Sequence, residues 1–216
     1  MTPVEGMEVD TKQRLLDAAE RLFAQQGFHA TSLRAITGEA GANLAAVSYH
    51  FGSKEGLMEA VIDRRLTPLN KQRTAALDAA LVTAAAEGRR PEAREVLRAF
   101  IEPTLRFRQA ESRDFIALVG RMVSETDDTL RRIFVGRMEP FRNRIFEALK
   151  LALPDVSEAI LNWRLHFTIG AMAHTMFMVN KHPFPGAAPT EPDTEGLLGL
   201  LLPYVTAGME APGAGR

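Results

Sequence analysis

The chain contains no cysteine. Disulfides, thiolate zinc sites and cysteine nucleophiles are excluded, and a reducing compartment fits. Long apolar runs are missing too: no stretch offers the ~20 apolar residues that a membrane-spanning helix needs. The opening residues, MTPVEGMEVD, are acidic and lack the apolar segment of a secretory signal. A cytoplasmic location with no membrane partner is therefore expected. Nor is there an excess of one charge. The formal net charge is −1, so bulk electrostatics do not announce a nucleic-acid binder. Over residues 11–66, Lys12, Arg14, Arg21, Arg34, Lys54, Arg64 and Arg65 stand against Asp17, Glu20, Glu39, Glu55, Glu59 and Asp63. Any nucleic-acid contact must come from the placement of a few groups.

Enzyme signatures are absent as well. There is no nucleophile elbow, phosphate loop, zinc-protease helix or Rossmann glycine pattern. The pair Asp127-Asp128 sits where a helix cap is the simpler account. His166 and His174 lie eight apart on one helix, about 80° around it, a poor arrangement for one metal ion. His182 is too far along to join them. The chain is not read as an enzyme, and neither a cofactor nor a metal is expected.

What the sequence does carry is helical periodicity. Hydrophobic residues make up 46% and charged residues 25% of 216 residues, enough for a sizeable core. Leu15, Ala18, Ala19, Leu22 and Phe23 define one face of a helix over 11–26. Gly27 ends it as a left-handed cap, with Phe28 as hydrophobic partner. Thr31 and Ser32 are both good N-caps for a second helix bearing Leu33, Ile36 and Ala40. Gly41 closes that helix, and Asn43 caps a short third one, Leu44 to Phe51, with Val47 and Phe51 facing inward. Gly52 ends the third helix and Ser53 caps a fourth, extending to about Ala86. Pro68 within it should kink or break it. Three helices with very short connections form a helix-turn-helix candidate.

Residues 87–91 read as a linker. Helical patterns follow over 91–108 (disturbed at Pro103), 115–124, 127–153 (bent at Pro140), 157–181 and 195–208. The stretch HPFPGAAPTEPD between the last two is a loop. The ends, 1–10 and 209–216, are expected to fray. No strand run is found, so the fold class is all-α.

The stretch LLDAAERLFAQQGFHATSLRAITGEAGANLAAVSYHFGSKEGLMEAVI carries a wider pattern. In the spacing of Phe23, Gly27, Phe28, Thr31, Ile36, Ala40, Gly41, Val47, Phe51, Lys54 and Leu57, residues 11–66 resemble the DNA-binding domain of the TetR family of transcriptional regulators. The form ANLAAVSYHF is similar to the PsrA-like, fatty-acid-responsive subgroup. The resemblance implies a three-helix DNA-binding head over 11–58 and a larger effector-binding and dimerisation body over 59–210. It implies a homodimer through a four-helix bundle of the last two long helices, a double-stranded operator and a small-molecule effector. One departure is Ser48, where many family members carry tyrosine.

Read as a major-groove probe, the third helix offers few side chains to base edges. Ala45 and Ala46 allow close backbone approach and can touch a thymine methyl, and Ser48 can bond either base type. Tyr49 and His50 would reach phosphates, and Lys54 with the Ser53 cap would hold the same strand at a helix N-terminus. Thr31, Ser32 and Arg34 would grip phosphates at the start of the second helix, and Asn43 completes the set. With so thin a base-reading set, DNA shape is expected to supply part of the specificity.

For the effector, the lining set is Arg106, Phe107, Phe115, Arg121, Met122, Trp163, Phe167 and Met176. Methionine suits irregular apolar ligands, and an arginine amid apolar neighbours can hold a carboxylate or phosphate. That mix suggests a fatty acid, an acyl thioester or another hydrophobic compound. The reading is a ligand-responsive repressor on a pseudo-palindromic operator. The rival is a helical ligand-binding or interaction protein that does not bind DNA.

Overall fold

Glycines and capping side chains cut the chain into helices, and every described element is helical. The computed structural model describes residues 3–111, 113–124, 128–177 and 193–212, and the side chains of 10–111, 113–122, 130–176 and 193–212. The helices are α1 Pro3–Gln26, α2 Leu33–Glu39, α3 Leu44–Phe51, α4 Lys54–Ala86, α5 Ala93–Ala110, α6 Arg113–Ser124, α7 Asp128–Ala152, α8 Glu158–Phe177 and α9 Thr194–Glu210. No strand occurs among the described residues.

The sequence reading starts α1 too late. The helix begins at Pro3, where proline suits a first turn whose N–H has no helical partner. Four helices run through an internal proline: Pro68, Pro103, Pro140 and Pro203. A proline costs one backbone bond locally, and the buried faces of these helices outweigh that cost. The loop expected over 182–193 lies outside the described residues except for Asp193, whose carboxylate accepts the Gly196 N–H at 2.8 Å and caps α9. Residues 178–182, Glu125, Asp127 and 213–216 also lie outside them.

The chain divides into two units. The first joins Met1–Thr67 with Glu111–Arg137, and the second joins Pro68–Ala110 with Met138–Arg216. These are units of backbone packing, and one break between them falls at Thr67/Pro68, inside α4. The first unit also takes in α6 and the start of α7.

In the first unit, Leu15, Ala18, Ala19 and Phe23 of α1 are fully buried, as are Ile36 of α2 and Leu57, Met58, Val61 and Ile62 of α4. Val47 is the buried residue of α3. Phe23 meets Phe28 across the Gly27 turn, with ring centroids 5.5 Å apart. Gly27 has φ 86°, and its N–H donates to Phe23 O at 3.0 Å. Helix α6 packs against α1 and buries Phe115, Leu118, Val119 and Met122.

Charged groups tie the same unit together. Glu20, 5% exposed, accepts from both Arg64 and Arg65. Arg64 also bonds Asp17 at 2.6 Å, and Arg65 pairs with Glu111 at 3.3 Å. Arg137 pairs with Asp63 at 2.8 Å and Glu59 at 3.0 Å.

In the second unit, α5 packs on α9 and α8, and α8 on α9. Val96, Leu97, Phe100, Ile101 and Leu105 of α5 are buried, as are Leu198, Leu202, Val205 and Met209 of α9. Arg164 of α8 donates to Met209 O at 2.8 Å and so caps the end of α9.

Candidate nucleic-acid interface

Three short caps build the putting-forward of α3. Ser32 Oγ accepts the Ala35 N–H at 3.1 Å and starts α2. Asn43 Oδ1 accepts the Ala46 N–H at 2.9 Å and starts α3. Ser53 Oγ accepts the Gly56 N–H at 3.0 Å and starts α4. Each satisfies a donor that a helix start leaves open. Between α2 and α3, the Ala42 N–H returns to Thr37 O at 2.9 Å, and Gly41 takes φ 59°.

With Val47 buried as the keel of α3, its opposite face is free of packing. Ala45, Ser48 and Tyr49 are exposed, and Ala46 and His50 are half-buried. Tyr49 is 73% exposed. His50 sits edge-on to Tyr49 with ring centroids 4.9 Å apart. Ser32, Arg34 and Asn43 are exposed beside this face in sequence.

Two residues of the expected set have other duties. Thr31 is a correction: it is 1% exposed, and its hydroxyl donates to Gly27 O at 2.8 Å and Leu22 O at 3.2 Å. It closes the α1–α2 turn from inside and cannot reach a phosphate without breaking that turn, so Ser32 alone caps α2. Lys54 bridges α4 to the same turn. Its ammonium lies 4.5 Å from the Phe28 ring centroid and donates to His29 O at 3.5 Å. Partial burial pushes its pKa down, and neighbouring Glu55 pulls it back up.

The expected effector-lining set is divided between the two units. Phe115 and Met122, on α6 of the first unit, are buried, and α6 packs on α1. Arg121, also in the first unit, is exposed and donates to Gln25 O at 3.3 Å. In the second unit, Trp163 and Phe167 are 63% and 65% exposed and face solvent rather than a pocket. Met176 is buried, and Phe107 is half-buried. Arg106 lines an open cavity of about 390 Å³ between α4 and α5, but it is already paired with Glu102 at 2.8 Å and Glu195 at 3.2 Å. The sequence reading missed Arg73, a buried arginine of the second unit. The available signal was spacing: Leu66, Leu69, Arg73 and Leu77 put a cation at a core position of α4.

Residues 15–61 match the family model of bacterial regulatory proteins of the tetR family, and residues 98–208 match the Tetracyclin repressor-like C-terminal domain. Among curated relatives, the probable HTH-type transcriptional regulator YttP of Bacillus subtilis is 45% identical over 56 residues, 26% of this chain and 27% of that protein. The chain thus matches little more than a quarter of that regulator. The HTH-type transcriptional regulator BetI of Rhizobium meliloti is 29% identical over 160 residues, 73% of this chain and 74% of its own length. Among solved structures, FadR of Bacillus subtilis in complex with stearoyl-CoA superposes with a TM-score of 0.66 at 13% identity, covering 91% of this chain and 98% of that one. At that identity the likeness is one of fold. No described helix is long and apolar enough to cross a membrane.

Proposed function

We infer the working of this chain from the premise that it belongs to the TetR family of bacterial regulatory proteins, which are helix-turn-helix transcription regulators. We propose that it is a ligand-responsive repressor. As a homodimer it binds a pseudo-palindromic operator and is released by a small amphipathic effector.

The observation that carries the DNA reading is the outer face of α3. A helix made only to fill a core has no use for a face of Ala45, Ser48 and a 73%-exposed Tyr49. In a major groove, the small residues admit the backbone, Ser48 meets base edges, and Tyr49 and His50 reach the flanking phosphates. Ser32, Arg34, Asn43 and Lys54 hold the strand. The head corresponds to residues 11–58 and the effector and dimerisation body to 59–210.

Dimerisation is supported by the apolar surface of the second unit. Trp163 and Phe167 on α8, and Leu200 and Tyr204 on α9, are each more than 60% exposed. They recur at helical spacing, with Gly170, Gly199 and Gly208 offering close approach. A patch of this kind on a soluble chain marks an interface. Two heads in a dimer read half-sites about 34–36 Å apart, and an effector that favours another spacing lowers operator affinity by population shift. Pro68, inside α4 at the division between units, is the proposed joint.

The effector class is an amphipathic acid such as a fatty acid or acyl thioester. That reading is supported by the arginine-plus-apolar composition of the body and by a fold neighbour crystallised with stearoyl-CoA. The test is selection of bound genomic fragments, followed by salt-titrated binding to the best fragment. A palindromic sequence with a steep salt slope is expected. No enrichment over random fragments by the folded dimer would overturn the DNA reading.

A further inference from the structure

Among its described residues, the second unit holds a buried cation with no anion beside it. Arg73 of α4 is 3% exposed. Its Nε and Nη2 donate to Thr104 Oγ1 at 3.1 and 2.9 Å, and its Nη1 to Asn70 Oδ1 at 3.0 Å. The Thr104 hydroxyl donates in turn to Phe100 O, which turns its lone pairs toward the guanidinium. The Phe100 and Phe141 ring centroids lie 5.0 and 5.6 Å from the Arg73 Cζ. Among the described residues, no carboxylate pairs with Arg73. Desolvation pushes its pKa down to about 9, so it remains a cation at neutral pH.

This is costly. A buried charge is normally paired, and neutral hydroxyl and amide acceptors recover only part of its lost hydration. Arg73 also interrupts a stripe that otherwise reads Leu66, Leu69 and Leu77, all buried. A leucine there would serve packing better. Three other arginines of the same unit show what the arrangement lacks: Arg98 and Arg106 share Glu102, and Arg89 holds Glu95. Arg73 alone among these is buried, and it alone has no acid.

The geometry points to Arg73 as the anchor for an oxyanion supplied by a ligand: the carboxylate or phosphate of an amphipathic molecule whose apolar part lies along Phe100 and Phe141. This deepens the effector reading above and rests on it. A planar guanidinium offers paired N–H donors to an oxyanion, and Thr104 and Asn70 mark the acceptor positions that the ligand's oxygens would take over. The approach is along the α4–α5 seam. The open cavity of about 390 Å³ is lined by immediate sequence neighbours of these residues: Gln72 and Ala76 on α4, Ala99 and Pro103 on α5.

The test uses the full-length chain and four probes with related tails: dodecanoate, dodecyl phosphate, dodecanol and dodecyltrimethylammonium. Binding is measured by calorimetry and by shift of the melting temperature. The wild-type chain is expected to bind one of the two anions at least about tenfold tighter than the alcohol. Which anion wins identifies the head group. Arg73→Met should bring that anion to within about threefold of the alcohol while leaving alcohol binding unchanged. Asn70→Asp supplies a built-in carboxylate at an acceptor position. It should raise the melting temperature and weaken binding of the anion but not of the alcohol, which keeps the test decisive should Arg73→Met fail to fold.

Equal binding of anion and alcohol by the wild-type chain, binding of neither, or an anion preference that survives both substitutions would overturn the assignment. Operator binding is read separately. DNA selection that succeeds without an anion preference defeats this inference alone, whereas failed DNA selection defeats the regulator reading.

Discussion

Gly56 packs so closely against the carbonyl of Phe51 that a Cβ at position 56 would sit 2.1 Å from that oxygen. The contact seats the first turn of α4 on the end of α3. Gly56→Ala therefore sets two effects against each other. Alanine improves a helix interior by about 0.5–1 kcal/mol, but overpacking against backbone costs about 1–3 kcal/mol. The clash should win, because the obstructing atom is a carbonyl and not a flexible side-chain end. We expect a lower melting temperature, by a few degrees for a chain of this size. An unchanged or raised value in thermal unfolding would refute it.

Tyr49 and Lys54 should separate under mutation, although both are proposed to touch phosphate. Tyr49 is exposed, so Tyr49→Ala should leave stability within about 0.5 kcal/mol of wild type and still weaken operator binding. Lys54 also holds the α1–α2 turn through Phe28 and His29. Lys54→Ala should weaken DNA binding and in addition cost about 0.5–1 kcal/mol of stability. Paired unfolding and DNA-titration measurements decide it. Equal stability losses would mean that Tyr49 packs more than its exposure indicates.

The boundaries of the head were legible because its punctuation is local. Gly27, Gly41 and Gly52 take positive φ, and Ser32, Asn43 and Ser53 each cap within three residues. Thr31 was misread because Thr31 and Ser32 are equally good caps in sequence. Only the fold, which turns Thr31 toward the carbonyls of Leu22 and Gly27, distinguishes them. The effector residues were less legible for a similar reason. An arginine amid apolar residues reads alike whether it reaches solvent, as Arg106 does, or is buried, as Arg73 is. Nothing local to Phe115 and Met122 shows that α6 packs on α1. Glu20 reads in the sequence only as one acid of the charge balance for the same reason: its partners lie more than forty residues away.

Glu20 should be among the least replaceable polar residues of the head. It is buried and receives both Arg64 and Arg65. Glu20→Ala leaves two partly buried guanidinium groups short of an acceptor. Breaking such a pair costs on the order of 3 kcal/mol, the low end for buried pairs because Arg65 retains some solvent contact. Denaturant unfolding should show this loss, with a partial return in Glu20→Gln, which keeps the shape and one acceptor oxygen. A loss below about 1 kcal/mol would place Glu20 with ordinary surface pairs.

The exposed aromatic stripe of α8 offers a test of the dimer that does not depend on DNA. Trp163 and Phe167 lie with ring centroids 5.9 Å apart and have little to cover them within the chain. Trp163→Lys should shift the chain toward monomer in light scattering without unfolding it, since the side chain contributes little to the monomer's own core. Loss of helical content on mutation, with no monomer seen, would show instead that Trp163 supports the fold of its own unit.

The connection between α4 and α5 sets an acid limit that can be isolated. Arg89 grips both oxygens of Glu95, at 2.6 and 2.8 Å, and the Glu92 N–H adds a third bond at 2.9 Å. Arg89 first, and the Glu92 N–H second, hold the Glu95 carboxyl down to about 2, below the ordinary glutamate value of about 4.3. With the folded value the lower one, the contribution to stability is complete above the unfolded pKa and is lost as pH falls through about 2. The gap in melting temperature between wild type and Glu95→Gln should therefore be constant from pH 7 to about 5 and close between about 4.5 and 2. Subtracting the variant removes the titration of the other carboxylates. The gap should be small, because the pair faces water, and it should shrink further in high salt. A gap that persists at pH 2 would mean that shape, and not charge, is what Glu95 contributes to the turn.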